Sequence, residues 1–138
     1  MKKFVLSAAL ALAAMPVAAE GDSAAGESAF NRCKSCHGIN NGDETIVRGG
    51  RTGPDLFGVI GRQAGSVEGF RYGDAMVAAG EAGLIWTEEL LVEFIKDPRA
   101  FLVAYTGDDS ARSNMSFRMP NGGEDIAAYL ATFAASAE

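Results

Sequence analysis

Apolar residues recur at helical spacing towards both ends of the chain. A first helix is predicted from Asp22 or Ser23, either of which can cap it, to about Cys36. Its core-facing side chains are Ala25, Ala29 and Phe30. A last helix is predicted behind Asn121, a cap residue that is followed three positions later by Glu124. Its apolar face consists of Ile126, Tyr129, Leu130 and Phe133.

The middle of the chain predicts shorter helices and a long loop. Residues 74–79 favour a short helix, and a further one begins at Thr87, whose hydroxyl can cap it, and ends at Asp97 before a proline. Between residues 38 and 73, eight glycines and Pro54 prevent long regular elements. No strand pattern of useful length is present, so the fold class is all-α. A loop of about 35 residues is unusually long for a compact domain, and a large buried cofactor would explain it.

The beginning of the chain is typical of a secretory signal. Two lysines precede an apolar run over residues 4–14, and a small-residue site predicts cleavage after Ala19. The run is interrupted by Pro16 and is shorter than the roughly 20 apolar residues that span a bilayer, which favours cleavage over anchoring. We therefore divide the chain into a signal peptide, residues 1–19, and one domain, residues 20–138, which is exported to the periplasm.

The charge of the chain narrows its possible partners. Without the two signal lysines, 10 basic residues stand against 18 acidic ones, which gives a net charge of about −8. Such an acidic chain is not typical of nucleic-acid binding. Export to an oxidising compartment makes the two cysteines candidates for a disulfide. Another role for them has to be supported by the neighbouring residues.

Those neighbours form the sequence Cys33-Lys34-Ser35-Cys36-His37, which is the attachment motif for a c-type haem. Residues three apart share one face of a helical turn, so both thiols can reach the two vinyl groups of one porphyrin. His37 follows directly and can bind the iron, for which a proximal histidine is a common ligand. The motif predicts one covalently attached haem c per chain.

Other roles for the cysteines fit less well. A structural zinc site needs four Cys or His ligands, whereas the chain has two cysteines and one histidine. A thioredoxin-like redox pair belongs near a βαβ pattern that the sequence does not show. A structural disulfide is the third alternative.

The second axial ligand has to come from another residue type, because His37 is the only histidine. Methionine is the usual choice in electron-transfer cytochromes. The candidates behind the signal are Met76, Met115 and Met119. Met76 lies in a predicted helix, where a core or surface role is the simpler interpretation, whereas Met115 follows a polar loop that can fold its thioether inward. We predict Met115.

The order of further motifs resembles class I cytochrome c, most closely the bacterial cytochrome c2 type, which is related to mitochondrial cytochrome c. The resemblance implies the cytochrome c fold, a few helices and long loops around one haem, with Met115 in the sixth position. The matching segments are Thr52-Gly53-Pro54-Asp55-Leu56, Gly61-Arg62, Gly69-Phe70-Arg71-Tyr72, Trp86-Thr87, Asp97-Pro98, Met115-Ser116-Phe117 and Tyr129-Leu130.

The resemblance also implies roles around the haem. The carbonyl of Pro54 should accept the N–H of His37 and fix its tautomer. Tyr72 and Trp86 match residues that hydrogen-bond a buried haem propionate, and Arg62 should offset the propionate charge. For each of these three side chains, plain core packing is the alternative.

Two more expectations concern aromatic side chains. Phe30 and Tyr129 match the contact between the first and last helices. At Phe94 the family usually has a tyrosine whose hydroxyl approaches the methionine sulfur. Without that donor, the sulfur should favour ferric iron, so we expect a lower reduction potential than in a Phe94→Tyr variant.

By the resemblance, the protein is a monomeric single-electron carrier and not an enzyme. Its donor would be a quinol-oxidising cytochrome bc complex, and its acceptor a cytochrome c oxidase, a photosynthetic reaction centre or a periplasmic reductase. The alternative function is a haem peroxidase or sensor in which Asn114 or another weak ligand replaces Met115. The alternative to a docking face at the haem edge is a set of charges scattered over the surface. The residues predicted to dock at the haem edge are Arg32, Lys34, Arg51, Arg99 and Arg118.

Overall fold

The computed structural model describes residues 21–134, so the predicted signal peptide and its cleavage point lie outside the described residues. Within this range, no helix is long and apolar enough to cross a membrane. Most of the regular elements in the described part of the chain are helices, as predicted. The elements are α1 (Ser23–Ala29), a 3-10 turn (Phe30–Arg32), β1 (Ile39–Asn41), β2 (Glu44–Val47), α2 (Asp74–Glu81), α3 (Glu88–Lys96), α4 (Pro98–Thr106) and α5 (Gly123–Ala131).

The first helix begins where the sequence predicts it and ends earlier. The Asp22 carboxylate accepts hydrogen bonds from the backbone N–H groups of Ala24 and Ala25, at 2.9 and 3.2 Å, which caps α1. The α-helix then tightens into the 3-10 turn, so it does not continue to Cys36. The haem motif nevertheless keeps a helix-like bond, because the His37 N–H donates to the Cys33 carbonyl at 2.9 Å.

Helices α1 and α5 cross at close range, with the predicted aromatic contact between them. The ring centroids of Phe30 and Tyr129 are 5.6 Å apart, and both residues are buried. Gly26 allows this approach, because a Cβ atom at this position would lie 1.9 Å from the Asp125 carbonyl oxygen. The Asp22 backbone N–H also donates to the Asp125 carboxylate at 2.8 Å, which fixes the start of α1 to α5.

A single aspartate joins α3 to α4. Thr87 caps α3 by accepting the Leu90 N–H at 3.2 Å, as the sequence predicts. Asp97 then follows the last residue of α3 and caps α4 by accepting the Ala100 N–H at 3.0 Å. Helix α4 is not predicted by the sequence pattern, in which Pro98 indicates only the end of α3. A proline is equally suited to the first position of a helix, where no N–H partner is lost.

The glycine-rich segment also contains a small hairpin that the sequence pattern does not predict. Strands β1 and β2 pair antiparallel around Gly42, which has a positive φ of 60°. They contain three and four residues and are mostly exposed, so they give little apolar alternation. The predicted cap of α5 is wrong as well, because the cap residue is Gly122 and no side chain bonds there.

Candidate functional site

A largely apolar cavity lies between the helices and the long loop. Its wall includes apolar residues of α3, α4 and α5, among them Leu91, Phe94, Leu102 and Ile126. All of the predicted cofactor and ligand residues line the same cavity: Cys33, Cys36, His37, Pro54, Arg62, Tyr72, Trp86 and Met115. The structure therefore brings together residues from six separate segments of the sequence.

The two cysteines are free thiols in different surroundings. Cys33 is half-buried, and burial raises the pKa of its thiol to about 11. Cys36 is exposed, and hydrogen bonds from the hydroxyls of Thr52 and Ser35 lower the pKa of its thiol. Both thiols border the cavity, so one group bound there can contact both.

The imidazole of His37 is held in one orientation. Its Nδ1 lies 2.8 Å from the Pro54 carbonyl oxygen, so the hydrogen bond expected between these two residues is present. A carbonyl accepts but does not donate, so Nδ1 carries the proton and Nε2 keeps a free lone pair. Burial lowers the pKa of His37, although the bond to Pro54 raises it, so the ring favours the neutral form that a metal requires.

All three candidate methionines border the cavity, so position alone does not select a ligand. Met119 is 5 % exposed, and its backbone N–H donates to the Ile95 carbonyl at 2.7 Å. Met115 is partly buried in a loop where Ser113 bonds it twice. The Ser113 hydroxyl donates to the Met115 carbonyl at 2.8 Å and accepts the Met115 N–H at 3.2 Å. Met115 therefore lies at the cavity in a loop that Ser113 restrains, and not in a helix.

Of the three side chains expected near a propionate, Arg62 and Tyr72 form hydrogen bonds with the surrounding backbone, whereas Trp86 is buried at the cavity wall. Arg62 donates to the carbonyls of Phe57 and Asp55, both at 3.0 Å. The Tyr72 hydroxyl accepts the N–H of Val67 at 3.1 Å. Burial lowers the pKa of Arg62, so its positive charge is partly desolvated. A carboxylate at this place would compensate that charge.

Three glycines for which the sequence predicts no role lie against the haem motif. A Cβ on Gly53 would lie 2.3 Å from His37 Cε1, and one on Gly49 would lie 1.8 Å from the His37 carbonyl oxygen. Gly50 donates its N–H to the Lys34 carbonyl at 2.8 Å. The sequence signals for this close approach are the run of glycines before Pro54 and the family match of the segment Thr52-Gly53-Pro54.

The predicted docking residues lie outside the cavity lining, and several have protein partners. Lys34 donates to the Asn31 side chain at 2.7 Å. Arg118 forms an ion pair with Asp97 at 3.5 Å. Arg99 donates from Nε to the Ala111 carbonyl at 3.3 Å. The other two, Arg32 and Arg51, are exposed.

The residues that line the cavity fit a c-type haem. The wall is mainly apolar, two thiols border it three positions apart, and His37 offers an unprotonated nitrogen. No group of three or more His, Cys, Asp or Glu side chains that could hold a metal occurs in residues 21–134.

Comparison with known proteins gives similar sequences over nearly the whole chain. Cytochrome c-551 of Roseobacter denitrificans is 59 % identical over 129 residues, which cover 93 % of this chain and 92 % of that protein. Cytochrome c2 of Rhodobacter capsulatus is 51 % identical over 126 residues, or 91 % of this chain and 90 % of that protein. No protein-family model matches the chain.

Solved structures agree with the sequence comparison. Ferric cytochrome c-550 of Paracoccus versutus superposes with a TM-score of 0.81 at 44 % identity and covers 84 % of this chain and 100 % of its own. Cytochrome c2 of Rhodobacter capsulatus superposes with a TM-score of 0.79 at 50 % identity, over 81 % of this chain and 97 % of its own.

Proposed function

The chain belongs to the class I c-type cytochromes of the cytochrome c2 type and has their fold, and from this we propose its place in electron transfer. It is an electron-transfer protein rather than an enzyme. The proposed donor is a quinol-oxidising cytochrome bc complex. The proposed acceptor is a cytochrome c oxidase, a photosynthetic reaction centre or a periplasmic reductase. Cleavage after Ala19 would release the carrier into the periplasm as a monomer.

The observation that carries this proposal is the set of sulfur and nitrogen ligands around one apolar cavity. We assign Cys33 and Cys36 to thioether bonds with a single haem c, and His37 Nε2 and the Met115 sulfur to the two axial positions. The hydrogen bond from Nδ1 to Pro54 supports this assignment, because it directs Nε2 away from the backbone. The bound haem supplies an iron that gains or loses one electron.

With two protein ligands on the iron, the residues of this chain leave no position for a substrate. With the haem bound, the mainly apolar wall of the cavity would leave little room for water around the iron, which would limit solvent reorganisation when the charge changes. The roles of the residues are therefore to hold the haem, to exclude water and to present its edge to partners.

Arg62, Tyr72 and Trp86 are proposed to form the propionate side of the site. Arg62 uses part of its guanidinium for the backbone carbonyls of residues 55 and 57, which fixes the group at the cavity wall. A planar guanidinium has five N–H donors, so others are left for a carboxylate. The partly desolvated charge of Arg62 gives a reason for an anion to bind there.

The axial assignment is tested by visible spectroscopy of the protein matured with haem. The ferric wild-type protein should show the weak far-red band of sulfur bound to iron, and Met115→Ala should lose it. Met119→Ala and Met76→Ala are matched controls, because both methionines border the same cavity and should leave the band in place. If one control loses the band and Met115→Ala keeps it, that methionine is the ligand. A wild-type protein without the band would contradict the proposed function as a six-coordinate electron carrier.

A further inference from the structure

Asn121 is followed three positions later by Glu124, a pattern typical of a helix N-cap, but Asn121 does not cap α5. The cap position of α5 belongs to Gly122, with a φ of 83°, and no side chain makes a capping hydrogen bond. Asn121 is exposed, lies in a bend outside the helices and strands, and its side chain makes no hydrogen bond to any residue in the range 21–134. Its amide is therefore free to react.

We propose that Asn121 is a site of spontaneous deamidation, and that it reacts ahead of the second asparagine–glycine pair, Asn41–Gly42. Asparagine is among the thermolabile residues. The backbone nitrogen of Gly122 attacks the side-chain carbonyl carbon of Asn121, a C–N bond forms, and the bond to the side-chain nitrogen breaks. Ammonia leaves with the proton of the Gly122 N–H. Water then opens the five-membered imide at either carbonyl, which gives aspartate or isoaspartate.

The residue after Asn121 favours this attack. Glycine has no Cβ, so nothing shields its nitrogen from the approaching carbonyl carbon. The backbone N–H of Gly122 lies before the first helical residue, where the helix does not use it. The side chain and the backbone nitrogen are thus both available in the folded protein.

Asn41 provides an internal comparison with the same dipeptide sequence. Asn41 is exposed, and Gly42 also has a positive φ. However, Asn41 ends strand β1 and pairs with Glu44 of β2, so its backbone is extended within a ladder. Ring closure at Asn41 requires the hairpin end to open first, whereas Asn121 needs no such opening.

The remaining asparagines are restrained by contacts or by their neighbours. The Asn31 side chain donates to the Ser28 carbonyl at 2.9 Å, and the Asn40 side chain donates to the Asp55 carboxylate at 2.6 Å. The Asn114 side chain lies over Gly73, where a Cβ would be 3.2 Å from its amide nitrogen. None of the three is followed by glycine. These residues should react last.

The product changes the surface next to the cavity. A new carboxylate would lie at the start of α5, near Glu124 and Asp125, where the helix terminus tolerates negative charge. A Cβ at Gly122 would lie 3.2 Å from Met119 Cε, so the altered backbone adjoins a residue of the cavity wall. The folded protein should therefore accept the modification and gain negative charge over time.

Ageing of the purified haem-containing protein at mildly alkaline pH, followed by peptide mapping with mass spectrometry, tests the proposal. Isoaspartate and aspartate should appear faster at position 121 than at position 41, where the hairpin end has to open first. An Asn121→Gln variant should lose the modification at 121 and keep the slow reaction at 41, which excludes an effect of sample handling. Isoelectric focusing should show an early acidic shift in the wild type, whereas the variant should show only the later shift that comes from position 41.

Two results would overturn the proposal. An unmodified Asn121 after ageing in which Asn41 has reacted would mean that the bend protects the amide. Equal rates at both positions would mean that the sequence alone decides and that the hairpin gives no protection. Neither result depends on axial ligation, so the outcome is separate from the function proposed above.

Discussion

The imidazole of His37 is confined on two sides by the segment that ends at Pro54. One contact is a hydrogen bond of 2.8 Å to the Pro54 carbonyl, and the other is the bare backbone of Gly53 against the ring. The hydrogen bond therefore fixes the tautomer of the ring, and the absence of a side chain at Gly53 lets the ring pack directly against the loop backbone. The bond fixes the proton on Nδ1, and the glycine leaves room for the ring.

We expect Gly53→Ala to displace the imidazole. The new Cβ would lie 2.3 Å from Cε1 and 2.6 Å from Nδ1 of His37, so the ring or the loop has to move. Overpacking of this kind costs about 1–3 kcal/mol of the free energy of unfolding. Denaturant unfolding measures this loss, and the ferric spectrum reports the altered ligand.

Gly42→Ala is the matched control for that experiment. Gly42 has a positive φ of 60° but no atom within 4 Å of a new Cβ. Alanine there should cost about 1 kcal/mol through backbone strain and leave the spectrum unchanged. Equal stability and equal spectra for wild type and Gly53→Ala would show that the loop gives way and that Gly53 does not position the ring.

Phe94 gives a second prediction for a single side chain. It is 6 % exposed and lines the cavity together with Met115. A hydroxyl introduced by Phe94→Tyr should donate to the methionine sulfur and favour ferrous iron. A hydrogen bond of about 1 kcal/mol corresponds to a potential roughly 40 mV higher, which redox titration resolves.

Phe101→Tyr tests whether any added hydroxyl has this effect. Phe101 stacks on Trp86 at a centroid distance of 5.8 Å and does not belong to the cavity lining. Its tyrosine variant should keep the wild-type potential. If Phe94→Tyr has an equal or lower potential than the wild type, the explanation based on a missing donor is wrong.

Between elements, stability depends on how closely α1 approaches α5. Gly26 is buried at the crossing, and a Cβ there would lie 1.9 Å from the Asp125 carbonyl oxygen and 2.8 Å from Tyr129 Cβ. Backbone atoms cannot rotate away as a side chain does. A methyl group would therefore separate the two helices and weaken the contact of Phe30 with Tyr129.

Gly26→Ala should therefore lower the free energy of unfolding by about 1–3 kcal/mol. The sign is informative, because alanine in an isolated helix is about 1 kcal/mol better than glycine. Thermal unfolding of the haem-containing protein measures the change. Ser28→Ala, at an exposed position of the same helix, should be neutral or slightly stabilising. A Gly26→Ala protein as stable as the wild type would show that the helices do not require this contact.

The elements also show how far the sequence could predict this structure. The caps at Asp22 and Thr87 were predictable because each bond joins residues two or three apart. The family and the fold are confirmed by the comparisons. Helix α4, the hairpin and the α5 cap were not predicted, because Pro98 can stop or start a helix, short exposed strands lack a pattern, and a glycine with a positive φ can replace a side-chain cap.

In the functional site too, local features could be predicted from the sequence, whereas long-range contacts could not. The cysteines and His37 are contiguous, so local chemistry identifies them. The closeness of Gly49 and Gly53 to His37 depends on how a loop folds back over the motif, and spacing along the chain does not contain this information. Likewise, the fold brings all three methionines to the cavity, and the far-red band of the ferric variants selects among them.

For the molecule as a whole, charge decides how it meets a partner. The full chain has a net charge of −6, and removal of the predicted signal peptide would make it about −8, so an acidic docking surface should repel the carrier and screening by salt would accelerate electron transfer. A basic face around the haem edge reverses the sign, because salt then weakens an attraction. The direction of the salt dependence therefore distinguishes a docking face from scattered charges.

We expect the second-order rate with an acidic redox partner to fall as ionic strength rises, measured by stopped-flow mixing. Arg51→Gln should lower the rate at low salt by about two- to fivefold, as for an exposed charge pair, and flatten the salt dependence. Lys96→Gln removes the same charge beside Glu93, to which Lys96 is paired at 2.7 Å, and should change the rate little. If both variants slow the reaction equally, net charge governs the encounter. A rate that rises with salt in the wild type would mean that Arg51 and its predicted companions do not form a docking face.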